Sequence, residues 1–198
     1  MIERRELLAV ALGALLLPRL SSAAQTQRSA CDRFNEPGAE NARLAALSGT
    51  WDAVESVWAN RGASPIVTSG LVADRRMIGS MLEEVLRRPL EPTPLRIDYL
   101  TFNRVEGQWQ YVSMDFRAPV GIMPASSFDR GEGDKIELFF QPFAVPGNGV
   151  QASGQLLRMK QLITSDGRNR QIKDQTFIMS DGSGAAWLAH RYSYVRRS

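Results

Sequence analysis

The chain has 198 residues, of which 43% are hydrophobic and 23% are charged, and its formal net charge is +3. This composition is typical of a folded domain and excludes a disordered chain and a coiled coil. A single cysteine excludes a disulfide framework, and a single histidine excludes metal sites built from several histidines. The weak and scattered positive charge also argues against nucleic acid as a partner.

Residues 1–24 have the three parts of an export signal. A charged start, Glu3-Arg4-Arg5-Glu6, precedes an apolar stretch over residues 7–17, and Ser22-Ala23-Ala24 supplies a small-residue cleavage site. The apolar stretch is too short to span a bilayer, which needs about 20 residues. The two arginines followed by Glu6-Leu7-Leu8 resemble a twin-arginine signal, and an ordinary secretory signal is the alternative. We therefore expect a periplasmic or secreted protein without an integral membrane segment once the signal is removed.

A lead-in and one short helix follow the signal. Residues 25–40 are polar and include Pro37-Gly38, which predicts a flexible lead-in. Residues 40–47 combine strong helix formers with leucines at positions 44 and 47, and Ser48-Gly49 ends the pattern. We predict a short helix there.

After residue 49, helical periodicity gives way to strand-like runs separated by turn residues such as Asp166-Gly167 and Asp181-Gly182. The predicted strands are residues 50–58, 65–75, 80–87, 95–104, 108–117, 126–130, 135–141, 153–164, 168–179 and 185–196. An antiparallel sheet of so many consecutive strands must curl or close to protect its edges. We therefore predict a mainly β fold, in which residues 41–198 form a single up-and-down antiparallel barrel of about ten strands behind the short N-terminal helix.

The first predicted strand opens with Gly49-Thr50-Trp51. This resembles the Gly-x-Trp motif with which the barrels of the calycin group begin, a group that includes lipocalins, fatty-acid-binding proteins and nitrobindins. The resemblance implies that Trp51 closes one end of the barrel beneath an arginine of the last strand, where a guanidinium on the indole face gains a cation–π contact. Arg191 and Arg196 are both candidates, and alternation does not choose between them.

A broader likeness covers most of the chain after the signal, and it is carried by Leu47-Ser48-Gly49-Thr50-Trp51, Ser69-Gly70, residues 77–84, residues 98–103 and residues 108–112. These stretches resemble the lipocalin-like domain-of-unknown-function family 1579. Ser80 and Met81 depart from the Arg-Phe pair usual in that family. The resemblance implies a calycin-like barrel, and it implies no reaction because that family has none settled.

Alternation indicates which residues face the barrel interior. Tyr99 belongs to the apolar half of one predicted strand, and Met114 and Phe116 belong to the apolar half of the next. Taking the apolar halves as the interior, we predict a ligand pocket formed by Tyr99, Met114, Phe116, Leu138 and Phe140. Arg158 is a candidate partner for a ligand carboxylate. These residues predict a protein that binds a small apolar or amphipathic molecule.

His190, the only histidine, lies on the last predicted strand and shares a face with Tyr192 and Tyr194. Nitrobindin-like barrels bind haem iron through one histidine late in the chain, so the resemblance suggests a haem-binding alternative with His190 as the ligand. A histidine hydrogen-bonded within the sheet is the other interpretation. No cofactor is assigned from the sequence.

Two further alternatives differ in class from a binding protein. The first is an isomerase- or cyclase-type enzyme in which Asp98, Asp115 or Glu137 acts as a general base in the pocket. The second is a structural or interaction protein whose barrel is simply filled. The sequence has no Gly-x-Ser-x-Gly motif, and residues 147–152 lack the strand and helix of a dinucleotide site. We therefore predict no catalytic residue and no metal site, and we expect a binding protein rather than an enzyme.

Overall fold

A computed structural model describes residue 29, residues 31–32, residues 36–144 and residues 156–198. The predicted export signal, half of the predicted lead-in and the start of the predicted strand 153–164 lie outside the described residues. None of the helices in the described part of the chain has the length and apolar character required to cross a membrane.

One short helix, α1 (Ala39–Ala45), precedes the strands. The strands are β1 (Gly49–Val57), β2 (Ile66–Ile78), β3 (Met81–Arg87), β4 (Arg96–Asn103), β5 (Gln108–Asp115), β6 (Ile122–Ser126), β7 (Lys135–Phe140), β8 (Phe143–Ala144), β9 (Leu156–Asp166), β10 (Arg170–Met179) and β11 (Trp187–Arg196).

The strands close into a barrel. Strands β1 to β7 pair in chain order, β7 pairs with β9, β9 with β10, β10 with β11, and β11 returns to pair with β1. Every pairing is antiparallel, and the two-residue β8 only extends the sheet beside the start of β9. The predicted fold class is confirmed: in the described part of the chain, ten strands form a closed up-and-down barrel behind the short helix α1, and closure removes the exposed edges that an open sheet would have.

The sixth strand was predicted in the wrong place. It runs over Ile122–Ser126 and includes Pro124, whereas the prediction placed a strand at residues 126–130 and treated the prolines as a break. A proline is tolerated here because β6 pairs with β7 over only two residue pairs. Residues 127–130 instead form a bend, in which the hydroxyl of Ser127 accepts a hydrogen bond from the backbone N–H of Trp109 (2.8 Å).

The end of the barrel next to α1 is closed around Trp51. The indole is fully buried, and its N–H donates a hydrogen bond to the carbonyl of Leu47 at 3.0 Å. The guanidinium carbon of Arg196 lies 4.5 Å from the centre of the indole ring, and that of Arg75 lies at the same distance. Of the two arginines that the sequence left open, Arg196 is therefore the one that reaches Trp51, whereas Arg191 is paired with Asp174 (2.6 Å).

Arg196 also connects the last strand to the helix. Its guanidinium donates hydrogen bonds to the carbonyls of Ser48 (2.5 Å) and Ala46, which follow α1. Carbonyl groups at a helix C-terminus have no partner within the helix, so a cation there satisfies them and interacts favourably with the helix dipole. The closed end is thus formed jointly by α1, Trp51 and Arg196.

Replacing Trp51 by alanine should lower the free energy of unfolding by about 3–5 kcal/mol, because a large aromatic side chain is removed from a packed core. Chemical denaturation followed by circular dichroism measures this. Val105, which is 77% exposed, provides the control, and Val105→Ala should change stability by less than about 0.5 kcal/mol. A cost for Trp51→Ala no larger than that of the control would contradict this account of the closed end.

Candidate functional site

The interior face of the barrel is more polar than the alternation indicated. On β4 the residues that are almost fully buried include Arg96 and Asp98, while Tyr99 alternates with them on the outer face. On β5, Met114 likewise lies on the outer face, and Phe116, which follows the strand, is 56% exposed. The inward orientation predicted for Tyr99, Met114 and Phe116 is therefore wrong, because the apolar half of each alternation was assumed to face the interior.

The other predicted pocket residues divide between the two faces. Leu138 and Phe140 are buried in the core. Arg158 is exposed on the outer face of β9, because its neighbours Leu157 and Met159 take the buried positions, so its predicted inward orientation is wrong. Glu137, one of the carboxylates considered as a general base, is about half exposed and pairs with Lys160 at 2.9 Å.

A row of polar side chains crosses the interior on four neighbouring strands. Arg75 lies opposite Glu84, Glu84 lies opposite Asp98, and Asp98 lies opposite Ser113. None of these four residues is more than 4% exposed. Since like charges placed directly opposite on neighbouring strands destabilise a sheet, the Glu84–Asp98 pair needs cations close to both carboxylates.

Two cationic side chains bridge the Glu84 and Asp98 carboxylates. Lys173, which lies on β10, places its Nζ 2.8 Å from Glu84 Oε1 and 3.1 Å from Asp98 Oδ2. Arg96 places Nη2 3.0 Å from Glu84 Oε1 and Nε 3.0 Å from Asp98 Oδ2. With Arg75, which donates from Nε to Glu84 Oε2 at 2.7 Å, these residues form what we call the interior ion network: Arg75, Glu84, Arg96, Asp98 and Lys173.

The interior ion network keeps the Glu84 carboxylate ionised. Burial acts to raise the pKa of Glu84, but the charges of Lys173, Arg75 and Arg96 outweigh it and hold that pKa well below its ordinary value. The hydroxyl of Tyr194 adds a hydrogen bond to the same carboxylate at 2.9 Å. The network is thus a set of charges rather than a set of neutral polar groups.

A second group of ionisable side chains lies between the network and the open end of the barrel. Glu55 accepts a hydrogen bond from the hydroxyl of Tyr192 (2.5 Å) and pairs with Arg117 (2.6 Å). Arg117 also pairs with Asp115 at 2.6 Å. Nδ1 of His190 lies 3.4 Å from the Glu55 carboxylate. We call these five residues the mouth cluster.

Glu55 is only 2% exposed. Burial acts to raise its pKa, but the hydrogen bonds from His190, Arg117 and Tyr192, together with the charge of Arg117, hold that pKa well below its ordinary value. Glu55 is therefore ionised and serves as the common acceptor of the cluster.

A cavity of about 250 Å³ is lined in part by the mouth cluster. Its lining includes the polar residues Arg96, Ser113, Asp115, Arg117, Gln175, His190 and Tyr192, and the apolar residues Ala118, Val120, Met123, Phe143, Met159 and Phe177. Arg117, Ala118 and Val120 of this lining belong to the connection between β5 and β6, at the end of the barrel away from α1. The cavity is therefore amphipathic, and the open end of the barrel gives access to it.

Arg96 belongs to both the network and the cavity wall. Its guanidinium carbon lies 4.0 Å from the ring centre of Tyr192, and Arg96 as a whole is 2% exposed. Its Nη1 is buried and has no hydrogen-bond partner among the residues that the structure describes. Nη1 of Arg75 is likewise buried without such a partner, so unpartnered guanidinium nitrogens belong to the interior ion network as a whole.

A larger recess of about 550 Å³ lies at the α1 end, between the helix and the β9–β10 turn. Leu44, Leu100, Trp109 and Ile136 of the core contribute to its lining. None of the described residues that line it has a buried side-chain polar atom without a partner. The mouth cavity is therefore the better candidate for a site.

The sequence identified His190, Asp98 and Asp115 as candidates, and all three belong to the two interior groups. It missed Glu55 and Arg96, together with Arg75, Glu84, Lys173, Arg117 and Tyr192. The available signal was the placement of Arg96 and Asp98 in one phase of alternation on β4, which was read as the solvated face. Within the described part of the chain, no three His, Cys, Asp or Glu side chains are placed to hold a metal ion.

The lowered pKa values of Glu55 and Glu84 predict loss of stability in acid. A carboxyl group whose pKa is lower in the folded state stabilises the fold above its unfolded-state pKa of 4.5, and that contribution is lost as the pH falls below this value. The free energy of unfolding should therefore decrease steadily between about pH 5 and pH 3, measured by urea denaturation at each pH.

Glu55→Gln should reduce this pH dependence, because one carboxyl group that must take up a proton in acid is removed. Glu106→Gln makes the same change of charge at an exposed turn and is the matched control. Equal slopes of stability against pH for the wild type and Glu55→Gln would contradict the ionised state assigned to Glu55.

No family model and no curated protein matches this chain. Among solved structures, the chain is similar to the crystal structure of Rv2717c from M. tuberculosis, at 14% identity and a TM-score of 0.47, over 82% of this chain and 100% of that chain. It is also similar to the structure of EF1p2_mFAP2b bound to DFHBI, at 14% identity and a TM-score of 0.31, over 80% of this chain and 98% of that chain. The barrel itself is established by the strand pairing described above.

Proposed function

We propose that this protein binds a small amphipathic molecule in the cavity at the mouth of its barrel. The observation that carries the proposal is the mixed lining of the cavity, which combines apolar side chains such as Phe177 and Met159 with charged side chains such as Arg96 and Arg117. Pockets for drug-sized ligands have volumes of about 300–1,000 Å³. A cavity of about 250 Å³ therefore suits a smaller molecule, with a short apolar body and one polar group.

The two other classes of function are less well supported. A filled barrel does not account for the open, amphipathic mouth cavity. A general acid or base at neutral pH needs a carboxyl group with a raised pKa, whereas the pKa of Glu55 is lowered by its partners. Asp115 is likewise engaged, because it forms an ion pair with Arg117.

Haem binding has one supporting feature and two opposing features. Nδ1 of His190 faces the Glu55 carboxylate, an arrangement common for metal-bound histidines, whose second nitrogen then faces the metal. However, the imidazole is stacked on Tyr192 and lies 5.8 Å from the ring centre of Phe177. A haem is also larger than a cavity of about 250 Å³. The geometry favours the smaller ligand.

The same proposal includes the cellular setting and the family. Residues 1–24 support export to the periplasm or outside the cell, and Gly49-Thr50-Trp51 supports kinship with the lipocalin-like family 1579. A small exported barrel with an amphipathic pocket is suited to carrying or sequestering a ligand outside the cytoplasm.

Because His190 is the only histidine in the chain, its imidazole gives one resonance that reports on the cavity. Titrating untagged protein with the neutral amphiphile 4-phenyl-1-butanol should shift the His190 Cε1–H signal in a saturable way. Ala118→Trp fills the cavity and should weaken binding by about tenfold or more, which corresponds to about 1.4 kcal/mol.

Ala45→Trp adds the same side chain on the exposed face of α1 and should leave the titration unchanged. An unshifted His190 signal in the wild type, or equal weakening in both variants, would refute binding at the mouth cavity. A Soret shift on addition of ferric haem that is lost in His190→Ala would instead favour the haem alternative.

A further inference from the structure

The apolar halves of β4 and β5 face outward, because polar and charged side chains occupy inward positions on these strands. On β4, Ile97 and Tyr99 alternate with the buried Arg96 and Asp98, and Met114 has the same outward placement on β5. An antiparallel strand with one solvated face normally turns its polar half to water. These two strands are inverted, so their apolar side chains lie on the outside of the barrel.

The outward apolar side chains form a continuous surface, because neighbouring strands place them side by side. Val85 lies opposite Ile97, and Ile97 lies opposite Met114. Met114 in turn lies opposite Ile122, so one apolar row crosses β3, β4, β5 and β6. We define the outer apolar patch as this row together with the neighbouring apolar residues of the same face: Tyr99, Val112, Phe116, Pro124, Phe128 and Phe139.

The outer apolar patch has the area that a protein partner needs. Phe116, Ile122 and Phe128 are 56%, 69% and 85% exposed, so these three side chains alone offer on the order of 400 Å². The other members are half-buried and add to this area. A standard interface buries about 800 Å² on each partner, of which roughly 65% is apolar in homodimers. Monomers rarely expose a contiguous apolar patch larger than a few hundred Å².

The charges beside the outer apolar patch are paired with one another. Among the described residues of β3 to β6, the outward charged side chains are Glu83 and Arg87, and they pair with Arg76 (2.5 Å) and Asp74 (2.8 Å) of β2. The hydroxyl of Tyr99 donates a hydrogen bond to Glu83 at 2.8 Å. A second copy of this face would therefore meet no unpaired like charge. An anionic lipid surface, in contrast, attracts clusters of unpaired Lys and Arg.

The same face carries both a projection and a recess. The exposed side chains of Phe116 and Ile122 form the projection. A shallow recess of about 340 Å³, with Val112, Pro124 and Phe139 in its lining, lies where β6 and β7 share only two residue pairs. A two-fold axis between them would place the projection of each copy over the recess of the other. Such self-complementarity is what a symmetric dimer requires.

We infer that two copies of this protein associate through the outer apolar patch, with β3 to β6 of one copy packed face to face on β3 to β6 of the other. Packed sheets of this kind lie about 10 Å apart, with interdigitating side chains. The inference is independent of the proposed ligand, because the patch lies on the outside of the barrel and the mouth cavity on the inside.

Sedimentation velocity of the purified protein, over about 1–100 μM, tests the inference. Interfaces of standard size have dissociation constants from about μM to pM, so the wild type should form a species with twice the mass of one chain. Ile122→Lys places a charge in the interface twice per dimer and should raise the dissociation constant at least about tenfold. Phe116→Lys is a second substitution within the patch, with the same expected effect.

Ile66→Lys is the matched control. Ile66 is 72% exposed, close to the value for Ile122, and it lies at the start of β2 outside the outer apolar patch. This variant should keep the wild-type dissociation constant. Circular dichroism should show the wild-type spectrum for all three variants, because each substitution is at an exposed position.

A wild type that stays monomeric over this concentration range would overturn the inference. A dimer that is weakened equally by Ile122→Lys and Ile66→Lys, or by neither, would overturn the placement of the interface at the outer apolar patch. A monomer that binds vesicles of phosphatidylcholine and phosphatidylglycerol, and loses this binding in Ile122→Lys, would overturn the dimer and assign the patch to a lipid surface.

Discussion

The Glu84 carboxylate is the centre on which the interior of this barrel depends. It faces Asp98 on the neighbouring strand, so two negative charges lie side by side in a place that water does not reach. Lys173 and Arg96 each contact both carboxylates, and Arg75 holds the other oxygen of Glu84. Removing one partner of such a group leaves an unpaired buried charge, which costs far more than the pair itself contributes.

The network also organises the packing around it. The buried apolar residues form two separate clusters, one that includes Leu44 and Tyr111 and another that includes Trp51 and Tyr194. The ammonium group of Lys173 lies 5.7 Å from the ring centre of Tyr111 and 5.4 Å from that of Tyr194, so it contacts a ring from each cluster. The charges therefore join the two clusters. The α1 end is closed, and the cavity opens at the other end.

Much of the architecture could be predicted from local sequence. Turn residues separated the strands, and Gly49-Thr50-Trp51 indicated the start of the barrel and the residue that closes its end. Leu138 and Phe140 face the interior, in the phase of β7 opposite Lys135 and Glu137, but they lie in the packed core and are not among the residues that line the mouth cavity. The sixth strand was displaced because prolines were read as a break, although Pro124 lies within it.

The interior of the site could not be predicted in the same way. Alternation on β4 separates Ile97 and Tyr99 from Arg96 and Asp98, but it does not say which half faces the interior. The charged half can face the interior because Lys173 contacts Asp98 and Glu84 there. Lys173 lies 75 residues from Asp98 and 89 residues from Glu84 along the chain. A partner so distant in sequence leaves no local pattern. The charged half of β4 was therefore read as the solvated face, and the interior ion network was missed.

Glu83 and Glu84 allow the most direct test, because these adjacent residues lie on opposite faces of β3. Glu84 belongs to the interior network. Glu83 is 5% exposed, but it lies on the outer face, and its cationic partner Arg76 has a side chain that is 73% exposed and can stay solvated when the pair is broken. The free energies of unfolding of Glu84→Gln and Glu83→Gln, from urea denaturation at pH 7, compare the two positions. The account predicts a loss of about 3–5 kcal/mol for Glu84→Gln and a much smaller loss for Glu83→Gln. Equal losses for the two variants would contradict the central role of the interior network.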